Sequence, residues 1–204
     1  MIADYIDPID DVLLWNSFLS GDKSSFQKIY DTYYQNLYSY GMRRINLPEV
    51  VRDCIQDLFI YLWTRRSGLG TTGNIKYYLL AALRNQLIQV GIRGDRWQQV
   101  GLENAEKFQL DFDPESDLIR KENVTEQAKK VIDALEKLSP RQKEVLYLHY
   151  FENMSHEDIA GLLDISVKGI YKVKYRGLEA LRAVLGVSKT ELLLLLLLCR
   201  PGIF

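Results

Sequence analysis

The sequence predicts an all-α protein of two small helical domains joined by an extended linker. Three observations predict it. Apolar residues recur every three or four positions over most of the chain, the period of amphipathic helices. An acidic stretch with Pro114 interrupts that rhythm near the middle. Beyond it, a short helical segment, a tight turn and a longer helical segment follow in the proportions of a helix-turn-helix.

In the N-terminal part, Phe26, Ile29, Tyr30, Tyr33, Leu37, Gly41 and Ile45 form one stripe, and Pro48 marks its boundary. Val51, Cys54, Ile55, Leu58 and Leu62 form a second stripe, with Phe59 and Trp63 on another face of the same helix. Gly68 to Gly73 is a glycine-rich break. A third helix turns Ile75, Leu79, Ala82, Leu83, Leu87 and Val90 inward, and Gly91, Gly94 and Gly101 punctuate its exit.

Phe108, Leu110 and Phe112 alternate in the linker, but one short strand has no partner, so this is an extended segment lying on a surface. It is either a plain tether or one that occupies a groove on a partner. Ala128, Val131, Ile132, Leu135 and Leu138 open the second helical cluster. Ser139-Pro140 then starts a helix, Ser as N-cap and Pro at the first helical position, running to about Phe151. Asn153 breaks it. Ser155 starts the next helix, with Asp158 as a capping-box variant, and Asp164-Ile165-Ser166 is the turn into a helix over about Val167 to Leu185. The expected domains are 1–94, a linker over 95–124, 125–186, and a tail over 187–204.

The chain has 204 residues and a formal net charge of −1. The balance is uneven along it: residues 93–127 carry 5 cations and 9 anions, and residues 128–204 carry 12 and 9. From Ile165 to Arg182 there are five cations against Glu179. A nearly neutral chain can therefore still meet DNA, because the field at the contact face is what counts. Ala160 is small enough to let the two helices of the unit cross. Ile170, Val173, Leu178 and Leu181 point inward, which leaves Lys168, Tyr171, Lys172, Tyr175 and Arg176 outward. Such a helix enters the major groove, cations meeting phosphate and polar groups meeting bases. In the N-terminal part, ten aromatics from Tyr33 to Trp97 with Arg84, Arg93 and Arg96 nearby suit stacking of single-stranded bases. Most of these rings are equally at home in a core.

No catalytic set is present. His149 and His156 have no metal-ligand spacing, no glycine loop cradles phosphate, and no cofactor motif appears. Two cysteines make no disulfide framework and fit a reducing compartment. Met1-Ile2-Ala3-Asp4 has no basic start of a signal peptide, and the longest apolar run, Leu192 to Cys199, falls short of the roughly 20 residues of a membrane span. The expectation is a cytoplasmic protein.

These segments resemble a family. Leu138-Ser-Pro-Arg-Gln-Lys-Glu-Val-Leu, with Ser155-His-Glu-Asp-Ile-Ala and Ile165-Ser-Val-Lys, resembles region 4 of bacterial sigma factors. Asp53 to Trp63 looks like their region 2 core-binding helix, and Asn74 to Ile88 like the helices after it. The two regions in order with a short linker are similar to the extracytoplasmic-function (ECF) group, particularly its Bacteroidetes-type members.

The resemblance implies the following. Asp53, Gln56, Asp57, Leu58, Phe59, Leu62 and Trp63 would dock on the largest-subunit clamp of core RNA polymerase, whose flap is a second contact. Arg84, Asn85, Arg93 and Arg96 would hold the unpaired −10 strand of promoter DNA. Lys168, Tyr171, Lys172, Tyr175 and Arg176 would read the −35 element, with Arg141 on phosphate. Gln89, Gly91 and Gly94 depart from the family's −10 segment. Gly169 and Gly177 would soften the reading helix, each at a cost of about 1 kcal/mol. Leu192 to Leu198 would pack back on the domain or dock on an anti-sigma factor or another recruiting partner. The alternatives are a helix-turn-helix regulator acting on duplex DNA without polymerase, and an adaptor that binds polymerase.

Overall fold

The computed structural model describes residues 8–93, 108–109, 134–188 and 190–192. All regular elements among them are helical. The chain divides into an N-terminal unit within Ala3–Lys107 and a C-terminal unit within Phe108–Phe204. This is the all-α, two-domain architecture that the sequence predicts.

The N-terminal unit holds α1 (Pro8–Leu19), α2 (Lys23–Ile45), α3 (Pro48–Arg65) with a 3₁₀ turn at Arg66–Gly68, and α4 (Ile75–Arg93). Asp22 caps α2: its carboxylate accepts from the backbone N–H of Ser24 and Ser25 and from both hydroxyls. Those bonds, Ser25 first, hold the Asp22 carboxyl far below the usual carboxylate range. α2 ends at Asn46 in the left-handed region, and Pro48 opens α3 at its first turn. α2, α3 and α4 pack on one another around Ile29, Leu37, Ile55, Leu62, Leu79 and Leu83, all essentially buried. The crossing of α2 and α3 depends on Gly41, where a Cβ would meet Val51 Cγ1 at 2.6 Å.

α1 is an element that the stripes above do not predict. Its Trp15 and Phe18 are fully buried. Trp15 Nε1 donates to the Gly70 carbonyl at 3.0 Å, so the glycine-rich segment is held down by a ring. Val90, expected inward, is 36% exposed.

In the C-terminal unit, α5 (Pro140–Leu146) carries a full capping box between Ser139 and Gln142. The predicted single helix to Phe151 changes pitch instead: Tyr147–Phe151 forms a π-turn. The buried Glu152 carboxylate accepts from the Tyr147 hydroxyl at 2.7 Å. α6 (His156–Leu163) and α7 (Val167–Leu185) follow, capped by Ser155 and Ser166. Asp164 between them takes φ 53°, a left-handed cap that Asp tolerates.

Gly177 corrects an expectation. It is buried, and a Cβ there would lie 3.3 Å from Leu146 Cδ1. The residue gives α5 room to cross α7, and α7 runs unbroken through both glycines. Phe108 is 2% exposed and lies 5.5 Å from the Tyr147 ring, so this linker residue covers its own unit. Leu110 and Phe112 lie outside the described residues.

The tail starts the same way. Ser188 and Glu191 bond reciprocally, each backbone N–H to the other's side chain, and this capping box opens a helical turn. Leu192 is 2% exposed in a cluster with Ala134, Leu135, Leu138, Leu146, Leu178 and Leu181. Of the two roles expected for the leucines, the first of them packs internally. Leu193 to Leu198 lie outside the described residues.

Candidate nucleic-acid interface

α7 presents its first turns on a helix-turn-helix scaffold. The Ser166 hydroxyl accepts from Gly169 N at 3.1 Å and fixes the start. Ile170, Leu178 and Leu181 are buried and Val173 is half-buried. Lys168, Lys172 and Arg176 are exposed, and Tyr171 and Tyr175 are 52% and 64% exposed. Five residues at intervals of three, four, seven and eight share one helical face. Two exposed tyrosines among three cations give that face both phosphate affinity and apolar, hydrogen-bonding contact for base edges.

Arg141, the residue expected on phosphate, also bonds within its own unit. Its Nη2 donates to the Leu163 carbonyl at 2.6 Å, at the end of α6, and Nη1 lies 3.9 Å from the buried Glu144 carboxylate. A C-terminal carbonyl of a helix needs such a partner. Arg141 therefore braces the turn from α5. Lys174, counted among the cations of this stretch, is also engaged: its ammonium lies 3.3 Å from His149 Nε2 and within hydrogen-bond distance of His156 Nε2.

In the N-terminal unit, the residues expected to meet polymerase separate into two sets. Asp53, Gln56 and Asp57 are exposed on α3. Leu58, Phe59 and Leu62 are interior, at 2%, 4% and 1% exposure, and hold α3 in place. Phe59 is drawn inward by rings on α2: Tyr30 lies 4.8 Å from it and Phe26 5.8 Å. Trp63 is half-buried, with Phe26 at 5.0 Å and the Arg66 guanidinium 4.5 Å over its ring. Phe26, Tyr30, Tyr34, Phe59 and Trp63, with Gln56 and Arg52, line an open groove of about 460 Å³. Its α2 side is formed by Phe26 and Tyr30 of the predicted stripe, expected inward, together with Tyr34.

Arg84 and Asn85 are neighbours on α4, Asn85 exposed and Arg84 half-buried. Arg84 Nε is buried with no hydrogen-bond partner among the described residues. Arg93 is the last residue of α4; its side chain and Arg96 lie outside the described residues. Cys54 is core, and burial, then Asp57 and Asp53, push its thiol up, away from the reactive thiolate. Among the described residues no group of three His, Cys, Asp or Glu could hold a metal, and no helix is long and apolar enough to cross a membrane.

The family model described as "Sigma-70, region 4" matches residues 128–181, a stretch that includes α5, α6 and most of α7. This segment is similar to sigma-70 region 4. Similarity extends beyond it. The chain is 25% identical over 171 residues to the RNA polymerase sigma factor YlaC of Bacillus subtilis, covering 83% of this chain and 96% of that one. It is 23% identical to the ECF RNA polymerase sigma factor SigX of the same organism, over 84% and 89% of the two chains. Among solved structures, CnrH in complex with the cytosolic domain of CnrY shares the fold at TM-score 0.55 and 21% identity, over 88% of this chain and 98% of that one. The sigma factor RpoE with the anti-sigma factor NepR from Bartonella quintana does so at 0.56 and 20%, over 81% and 99%. Within the matched segment, α6 and α7 form the helix-turn-helix, and α5 packs against α7.

Proposed function

We infer that the chain is an ECF-type RNA polymerase sigma factor, which binds core polymerase, directs it to promoters and takes part in melting and initiation. It acts through binding energy rather than by catalysing a reaction. The observation that carries this reading is the reach of the similarity. The relatives named as sigma factors align with both units, and a lone helix-turn-helix regulator has no use for the N-terminal one.

The division of labour follows from exposure and charge. Lys168, Lys172 and Arg176 meet phosphate at the −35 element, and Tyr171 and Tyr175 meet bases. Asp53, Gln56 and Asp57 offer polar contacts to the polymerase clamp beside the aromatic groove. Asn85 receives an unpaired −10 base near Arg84, with Arg93 and Arg96 along the strand. Domain limits near 94 and 125 and a Bacteroidetes-type placement rest on the sequence resemblance. An anti-sigma partner is supported by the complex of RpoE with the anti-sigma factor NepR.

The test is co-elution of the purified chain with bacterial core polymerase on size-exclusion chromatography, beside a Gln56→Ala/Asp57→Ala variant. Phe59 is left intact because it is core. Co-elution that the variant loses supports the reading. Absence of co-elution at micromolar concentrations, with duplex binding retained, replaces it with the polymerase-independent regulator.

A further inference from the structure

The reading helix carries a feature that its charge pattern does not disclose. Lys174 turns away from the outward face and enters a cluster with His149 of the π-turn and His156 at the first position of α6. The His149 Nδ1 lies 3.2 Å from the Met154 carbonyl, which can only accept. Nδ1 therefore carries the proton, and in the neutral ring Nε2 is left as an acceptor facing Lys174. His156 Nε2 faces the same ammonium and must also accept. One lysine thus donates to two neutral imidazoles, whose rings lie 4.5 Å apart. The other face of His156 stacks on Tyr171, at 4.2 Å and 17° between planes. Tyr171 is half exposed, and Lys174 also lies 5.5 Å over its ring.

We propose that His156 is a positioning residue for DNA recognition: held by Lys174, its neutral ring fixes the ring of Tyr171 in the orientation that meets a base edge. The inference rests on the duplex-reading role of α7 stated above. An exposed tyrosine on a helix otherwise samples several rotamers, and ordering it on contact costs free energy that a stacked ring has already lost.

The groups that face His156 among the described residues are Lys174 and Tyr171 on α7, His149 on the π-turn and Glu157 on its own helix. Burial, then the Lys174 charge, hold His156 below the usual histidine range, with Glu157 pulling the other way. At neutral pH the ring is therefore an acceptor. Once protonated, Nε2 donates, repels the ammonium and gives up the bond that anchors the stack.

The experiment is selection from a randomised duplex library by the full chain, for wild type, Tyr171→Ala, His156→Ala and His156→Phe, at about pH 7.5 and at an acidic pH. Tyr171→Ala should lose base preference at one or two adjacent positions. His156→Ala should lose preference at those same positions and keep the rest, and His156→Phe, which retains a ring to stack on, should restore it. Acidification to a pH at which imidazole NMR shows His156 protonated should reproduce the His156→Ala loss in the wild type and leave His156→Phe unchanged. Preference at the Tyr171-dependent positions that survives in His156→Ala overturns the proposal, as does an equal acid effect in His156→Phe. A wild type that enriches nothing, or a wild-type preference that Tyr171→Ala leaves intact, removes the duplex-reading role of this face and the proposal with it. Imidazole NMR of the full chain supplies a readout without DNA: Lys174→Met should raise the midpoint of His156 protonation, and an unchanged or lowered midpoint overturns the cluster itself.

Discussion

Asp11 of α1 caps α4 across 64 residues: its Oδ2 accepts from Ile75 N at 2.9 Å, while Oδ1 accepts from the Tyr33 hydroxyl at 3.0 Å. One buried carboxylate thus ties together three helices. Asp11→Ala leaves an N–H and a hydroxyl buried without it and should lower stability by about 2–4 kcal/mol, measured by urea unfolding. Tyr33→Phe removes a single donor and should cost about 1 kcal/mol. A cost for Asp11→Ala no larger than that of Tyr33→Phe would mean that the α4 terminus finds water instead.

Gly41→Ala should be among the most damaging single-methyl additions in the chain. The new Cβ meets a branched, wholly buried Val51 with no flexible end to swing aside. Overpacking of this kind costs about 1–3 kcal/mol. Val51→Ala in the same background should recover part of the loss, which a thermal unfolding series of the single and double variants would show.

Salt dependence of duplex binding separates the two kinds of arginine. Arg176→Ala should reduce the slope of log K against log salt by about 1, the release of one counterion. Arg141→Ala should leave the slope unchanged and lower the stability of the C-terminal unit by about 1–2 kcal/mol, because its guanidinium serves the Leu163 carbonyl. A slope that falls in Arg141→Ala would return that residue to the phosphate.

Leu192→Ala should cost about 2–3 kcal/mol, since it empties a seat among Leu135, Leu146 and Leu181, whereas Leu192→Met should cost under about 1.5 kcal/mol. Denaturation midpoints of the two variants make the comparison. A neutral Leu192→Ala would place that side chain in solvent.

His156 also predicts a pH dependence of stability. Its folded pKa lies below the unfolded value of about 6.5, so between the two the unfolded chain binds more protons. Stability from this group is fully present above about pH 6.5 and is lost as pH falls through that value toward the lower folded pKa. The urea midpoint of the C-terminal unit should therefore fall on mild acidification, and His156→Phe should flatten that fall.

Much of this architecture is legible in the residues. Ser139, Ser155 and Ser166 announce their helices because a cap is a local event, three residues wide. The outward face of α7 follows from period alone. What eludes the sequence is set by partners far along the chain. Asp11 reads as a surface acid until Ile75 is beside it, and the apolar positions of α1 show no stripe until Gly70 and Tyr78 meet Trp15. The resemblance makes Phe59 an anchor for a partner, yet Phe26 and Tyr30 of α2 cover most of it. Arg141 and Lys174 count as free charge in any tally along the sequence, and both are occupied by acceptors that only folding brings near. Gly177 reads as a weakness and proves to be a clearance.

The burial of Trp15 and the half-burial of Trp63 give the molecule a built-in optical asymmetry. Trp15 and Trp63, the tryptophans among the described residues, both belong to the N-terminal unit. Trp15, sealed beneath Gly70, reports whether the N-terminal helices are assembled. Trp63, stacked under Arg66 in the aromatic groove, reports whether that groove is filled. Assembly of the N-terminal unit and engagement of its groove can therefore be followed in a single unlabelled sample.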